Sequence, residues 1–478
     1  MKKDLNSYDY AFLVSMLGFI LFKASHLNIP FFWDESWVYG PAIQIMADDG
    51  PGLLPSAMHE WISRGHPLLF HFLGGSWITI FGKSLISIHL FPLTFSIAFL
   101  TGIYLYGRNR YAPSIGFTAF LFILIQPAFL AQSAMVLPEV MLALWVFASV
   151  ASYLSQKKSA YVVFATFALY TKESALVFVL GIILWEFLQI LMISTRRSNF
   201  FSEIGRSLYL LLPLVLIALF FVVQYFQKGW FFYPEHTGMI DLSSYQVKHK
   251  LGIYFEYLFF KNGNLVISLL LVISLGYIAV RKRSFYQKHG KELLFLFYLI
   301  VAFSIFSAIN FFTSRYLMSV FPFFTLMVAL SLHGIKPQRW MQYSSYAIIV
   351  AISLSFSLLP SKSHQGDTNM GYLDGIKVHQ AAIDYLVEND FQDRKIYTHF
   401  LMINQLKNYR CRYLEKDEVF PEVHNNLSES IDLIVYSSFE REFDIQQIQE
   451  EHPFERIFRY EHGKAFTEIY ERVESSSK

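Results

Sequence analysis

Two adjacent carboxylates, Asp34 and Glu35, stand between Trp33 and Trp37 in FFWDESWVY, directly after an apolar segment. Either charge at the centre of a membrane span costs about 2.5 to 3.5 kcal/mol, so the pair belongs where a span emerges into water. A membrane enzyme keeps a general acid or base at such a place. The plain structural alternative has Asp34 capping the helix that follows and the two tryptophans anchoring the interface. Other polar groups beside apolar segments are His59, Glu60, Arg64, His66, Glu139, Lys172, Glu173, His236 and Arg315. Glu139 follows Pro138 in the first turn of a span, where free N–H groups and the helix dipole favour a carboxylate in a capping or a functional role. Lys172 and Glu173 fall between two spans, where they can pair with each other. Arg315 and Tyr316 open a late span, the place of an interface anchor or an anion ligand. HEWISRGH brings His59, Glu60 and His66 together, but a zinc-protease helix needs its second His four residues after the first, and here it lies seven away with Gly65 between. No P-loop, dinucleotide turn or Gly-x-Ser-x-Gly elbow accompanies these residues.

The elements that must hold them are membrane spans. Of 478 residues, 54% are hydrophobic, 18% aromatic and only 16% charged, against about 25% charged in soluble domains. The net charge of +2 points to no nucleic-acid partner, and the single Cys411 has no partner for a disulfide or a thiolate metal site. Lys2 and Lys3 precede an apolar stretch without a small-residue cleavage site, which predicts a retained first helix. Segments near bilayer length, about 20 residues, lie at 9–29, 84–106, 112–130, 137–155, 159–171, 174–194, 207–226, 264–280, 292–312, 316–334 and 341–359. Eleven spans are thus expected. The stretch Pro67 to Gly82 reaches only about 24 Å as a helix and is interrupted by Gly74 and Gly75. If it does not cross, the loops on the side of the N-terminus carry sixteen Lys and Arg against eight opposite, a positive-inside pattern. Pro67–Gly82 is therefore read as re-entrant or lying at the interface, within one outer loop of residues 30–83.

In that loop Ser36–Ala47 and Ser56–Arg64 read as short surface helices, separated by Asp48 to Gly52. Residues 227–262 form a second, aromatic-rich outer segment, a candidate lid. Composition shifts after Pro360, so the chain divides into a membrane part, 1–360, and a soluble extracytoplasmic α/β domain, 361–478. In the latter Asp374–Asn389 and Phe400–Tyr409 read as helices, Lys395–Phe400 and Ile431–Ser437 as strands, and Arg456–Arg472 as a hairpin turning at His462 and Gly463.

Taken in order, WDESWVYG, GHPLLF, LPEV, LYTKESALV and SRYLMSVFP resemble the GT-C membrane glycosyltransferases over residues 9–335, closest to protein O-mannosyltransferases and lipid A aminoarabinose transferases. The chain departs from that pattern in having His66, Pro67, Leu68 for His-Pro-Pro and Glu139 for Asp. The resemblance implies a polytopic helical fold and transfer of a sugar from a polyprenyl-phosphate donor at the outer face of a plasma membrane, prokaryotic by expectation. It implies Asp34 as base, with Glu35 and Glu139 orienting the acceptor or helping to hold a divalent metal. It further implies Lys172 and Arg315 as cations for the leaving phosphate, with His66, His236 and Tyr316 as substrate contacts. Its partners are a lipid-linked sugar donor and membrane lipids. The rival is a transporter or flippase, which calls for a repeat and mid-membrane charges; neither stands out in the sequence.

Overall fold

A computed structural model describes residues 5–193, 197–335, 366–439 and 443–473, together with 346, 347, 351 and 355. Among these, six helices are long and apolar enough to cross a membrane: Ser7–Ala24, Leu85–Arg110, Glu173–Met192, Phe201–Lys228, Asn264–Arg281 and Ser284–Ile309. Shorter apolar helices, Leu69–Phe81, Pro113–Leu124, Glu139–Leu154 and Phe321–Ile335, pack with them. The chain is an integral, multi-pass helical membrane protein. The segment expected at 112–130 is not one helix, because Pro127, which lacks the N–H that would continue the ladder, opens a new helix, Pro127–Gln132. The segment 341–359 lies almost wholly outside the described residues.

The segment 30–83 is built on short helices. Leu69–Phe81 is a thirteen-residue helix packed on Gly40–Asp49, and it can approach only because Gly74 and Gly75 lack side chains: a Cβ there would lie 2.7 Å from Ile43 and 2.6 Å from Met46. A π-helical turn, Glu35–Tyr39, leads into Gly40–Asp49, the kind of local irregularity that recurs at functional sites. Trp33, immediately before Asp34, holds a left-handed φ of 56°, a conformation costly for a bulky residue. Residues 227–262 are not a bare loop, since they carry the helices Pro234–Gly238 and Ser244–Phe255 and a π turn, Glu256–Phe260.

A five-stranded sheet closes the chain: β1 Ile396–Tyr397, β2 Val423–His424, β3 Leu433–Ser437, β4 Phe454–His462 and β5 Ala465–Arg472, in spatial order β2-β1-β3-β5-β4. The first pairs are parallel and β3–β5–β4 antiparallel. Tyr372–Glu388 and Phe400–Lys407 pack against it, burying Ile383, Leu386, Met402 and Leu406. This unit sits on the first loop: Phe400 stacks edge-on against Trp33 and Trp37, Phe31 N–H donates to the Cys411 carbonyl (3.1 Å), and the Cys411 thiol donates to the Ser36 carbonyl (3.1 Å). The acid pair is thus clamped between membrane helices and sheet.

Candidate active site

The turn at 33–39 sends the two carboxylates apart. Asp34 lines a cavity of about 260 Å³ together with Tyr39, His66, Lys172, Glu173, His236, Arg315 and Tyr316. Its side chain makes no cap hydrogen bond to the following turn; instead Trp37 Nε1 donates to Oδ1 (3.1 Å) and Arg315 Nη2 to Oδ2. The capping alternative is therefore set aside. Glu35 points inward, is 1% exposed and does not reach the cavity. Its Oε1 accepts from His89 Nε2 (3.0 Å) and the Val136 N–H (2.7 Å), and its Oε2 from the Phe32 N–H (3.3 Å). His89 Nδ1 faces the Leu27 carbonyl (2.9 Å). Glu35 thus ties the first helix end, the turn at 33–39 and the 85–110 helix together. Glu35→Gln places an amide N–H₂ among these donors and is expected to cost about 1 to 3 kcal/mol of stability, read by thermal unfolding, with turnover of the folded fraction held within a few-fold.

Arg315 sits in a 3₁₀ stretch, Ser314–Ser319, that enters the last apolar helix, and is 5% exposed. Its guanidinium is shared among three carboxylates: Asp34 on the cavity side, Glu139 (Nε to Oε1, 3.5 Å) and Asp367, which takes Nη1. Lys172 donates to Glu139 Oε1 (3.2 Å), its Nζ 4.3 Å from the centre of the Tyr316 ring. Extended backbone at Lys172 (φ −160°, ψ 135°) separates it from Glu173, so the two do not pair with each other. Glu173 accepts instead from His66 Nδ1 (2.8 Å), with His236 Nδ1 3.9 Å from its other oxygen. Asp367 is a residue that the sequence reading missed. His59 stays outside the cluster, its Nδ1 accepting from the Trp61 N–H (3.3 Å) at the start of Glu60–Ser63.

Charge follows geometry. Burial alone raises the Asp34 carboxyl, but the Arg315 charge and hydrogen bond, Trp37 and Lys172 outweigh it and hold Asp34 below its ordinary value. Burial lowers the Lys172 ammonium, and Tyr316, Glu139 and Tyr39 reverse this and raise it. His236 is lowered to about 4, chiefly by burial. Asp367 goes the other way, up to about 7, through burial and the neighbouring Asp34 and Glu139, against the pull of Arg315. Three carboxylates against Arg315 and Lys172 leave one negative charge in excess, and a proton on Asp367 balances it. Between pH 4 and 7 the folded state then binds this proton while the unfolded chain does not, so the Asp367 contribution makes stability fall as pH rises through that window. Asp367→Asn should flatten that slope in unfolding midpoints measured from pH 5 to 8.

The segments 30–83 and 227–262 meet beside the cavity. Arg64 pairs with Glu235 (2.5 Å) and lies on the rings of Trp37, Trp61 and Tyr233; Lys228 reaches Glu60 (3.6 Å). Gly65, at φ +69°, lets the loop pass Trp230 and Tyr233, where a Cβ would lie 2.6 Å from the tyrosine.

The fold is similar to that of a solved membrane protein, ArnT, in agreement with the resemblance read from the motifs. ArnT from Cupriavidus metallidurans in the apo state aligns over 97% of this chain and 98% of its own with a TM-score of 0.58 at 12% identity. The same protein bound to undecaprenyl phosphate aligns over 99% of both chains with a TM-score of 0.57, also at 12% identity. No family model and no curated protein sequence matches the chain.

Proposed function

We propose that the chain transfers a sugar from a polyprenyl-phosphate donor to a lipid, glycan or protein acceptor at the outer face of a plasma membrane. The observation that carries this reading is Arg315: one buried guanidinium that presents Asp34 to a cavity while Glu139 and Asp367 hold it from behind. That arrangement offers a carboxylate and two fixed cations, Arg315 and Lys172, at one place. The acceptor oxygen attacks the anomeric carbon and gives its proton to Asp34, while the bond from that carbon to the phosphate oxygen breaks and its electron pair stays on the phosphate. Arg315 and Lys172 stabilise the charge that develops there, already oriented and shielded from water. In the resting site Arg315 restrains the basicity of Asp34. A donor phosphate that draws the guanidinium toward itself raises the proton affinity of Asp34 as the reaction needs it.

Tyr316, His66 and His236 complete the wall that meets the donor headgroup, and Glu139 positions the two cations. The likeness of fold to a protein solved with undecaprenyl phosphate supports a polyprenyl chain as the donor's anchor. The same proposal divides the chain into a membrane part, 1–360, with the outer loop 30–83, and an extracytoplasmic unit, 361–478. The Lys and Arg asymmetry supports that orientation. Purified protein incubated with a panel of radiolabelled polyprenyl-phosphate sugars should transfer label from at least one of them. Label that crosses the bilayer of proteoliposomes unchanged, with no transfer, would favour the flippase reading.

A further inference from the structure

We infer that a second cavity, at the membrane face opposite Asp34, binds a phosphate anion of the kind carried by acidic lipid headgroups. It encloses about 740 Å³, within the range of small-ligand sites. It lies where the helices Leu85–Arg110, Asn264–Arg281, Ser284–Ile309 and Phe321–Ile335 end or begin. Its position follows from Ser284–Ile309, a helix that serves both cavities: His289 lines this one and Phe306 lines that of Asp34. From His289 to Phe306 the helix rises about 25 Å, close to the hydrocarbon thickness of about 30 Å.

Among the lining side chains Arg110, Lys282 and Lys288 stand against one carboxylate, Glu292, a surplus of positive charge that favours an anion. Arg110 is held from one edge: its Nε donates to Glu292 Oε1 (3.1 Å) and to the Tyr111 hydroxyl (3.1 Å), and its guanidinium lies 5.9 and 5.6 Å from the ring centres of Tyr106 and Tyr111. No described residue accepts from its Nη1 or Nη2, so the donors that match phosphate geometry are left open. Lys288 is exposed and has no carboxylate partner among the described residues. Lys282 Nζ donates to the Gly334 carbonyl (2.9 Å), which fixes a third positive charge at the wall and ties two helix ends together. Cations scattered over a membrane face satisfy a positive-inside pattern without a cavity or a fixed guanidinium; here both are present. Ile115 and Leu330 add apolar wall for the carbons next to a lipid phosphate, which favours a headgroup over the free ion.

Full-length protein, delipidated in a neutral detergent, is titrated with short-chain phosphatidylglycerol, with short-chain phosphatidylcholine and with inorganic phosphate, and the unfolding midpoint is read at each concentration. Phosphatidylglycerol should raise the midpoint saturably, and phosphatidylcholine should not. Lys288→Gln, which changes an exposed side chain, and Arg110→Gln should each weaken the apparent affinity at least ~5-fold, every variant set against its own midpoint without ligand. Lys416→Gln, exposed on the sheet unit, should bind as the parent does. A response to inorganic phosphate equal to that of phosphatidylglycerol, and weakened in the same variants, keeps the anion site and overturns its assignment to a lipid. Equal effects of the two lipids, no response of the parent to either phosphatidylglycerol or phosphate, or unchanged affinity in both variants overturns the site. Binding is read without sugar donor or turnover, so it holds or fails independently of the transfer proposed above.

Discussion

Asp34→Asn should lower turnover on the order of 100-fold or more while the protein still binds its lipid donor. Asparagine keeps the volume and still offers an oxygen to Trp37 Nε1, which now donates to Oδ1 at 3.1 Å. It cannot take the acceptor's proton. The pH profile adds an independent check. With Asp34 held below its ordinary value by Arg315, the carboxylate stays ionised throughout the neutral and mildly acidic range, and kcat/KM of the parent should show no Asp34 limb above about pH 4. A structural carboxylate predicts something else: a stability loss of about 1 kcal/mol and a fully active folded fraction. Initial rates with labelled donor, normalised to folded protein, separate the two. Full activity would remove Asp34 from the chemistry and turn attention to Glu139, whose Oε2 is buried without a hydrogen-bond partner.

What could be read in the sequence, and what could not, follows from how far each signal reaches along the chain. Asp34 was legible as a candidate because a carboxylate pair is costly inside a span and so marks its end, and that cost is local. Which member of the pair faces the cavity was not, because neighbouring side chains on a helical turn diverge and only the packed surroundings assign their directions. Glu35 went to His89, 54 residues away, and Asp34 to Arg315, 281 away. Asp367 sits in QGDTN, which reads as a turn and nothing more; its meaning comes wholly from its place on Arg315. Likewise His66, Glu173 and His236 carry no common spacing. Pro127 did carry a usable signal, a helix break inside an apolar run, and the span drawn through it gave hydropathy too much weight. In the sheet unit the apolar run Leu433–Ser437 and the turn signal at Gly463 were local and gave strand and hairpin directly, with the turn itself falling at Gly463 and Lys464, one residue later than expected.

Arg315 should give the largest combined effect, and two substitutions are needed to read it. Arg315→Ala leaves Asp34, Glu139 and Asp367 sharing only Lys172. Breaking a buried ion pair by removing one partner typically costs about 3 to 5 kcal/mol, so this variant should fold poorly, and lost binding in it would be ambiguous. Arg315→Lys retains the charge but replaces a planar fork with a single ammonium, which cannot serve Asp34 and Asp367 at once with parallel N–H donors. Its stability should fall less, because one excess charge is still balanced. Its grip on a lipid phosphate should weaken by roughly 2 to 4 kcal/mol, or roughly 30- to 1000-fold. Equilibrium binding of a polyprenyl phosphate to the Lys variant, set beside its unfolding midpoint, distinguishes a phosphate ligand from a scaffold ion. Parent-like lipid binding in a destabilised Arg315→Lys protein would make Arg315 the keystone of the three carboxylates alone, and would leave Lys172 as the cation that meets the donor.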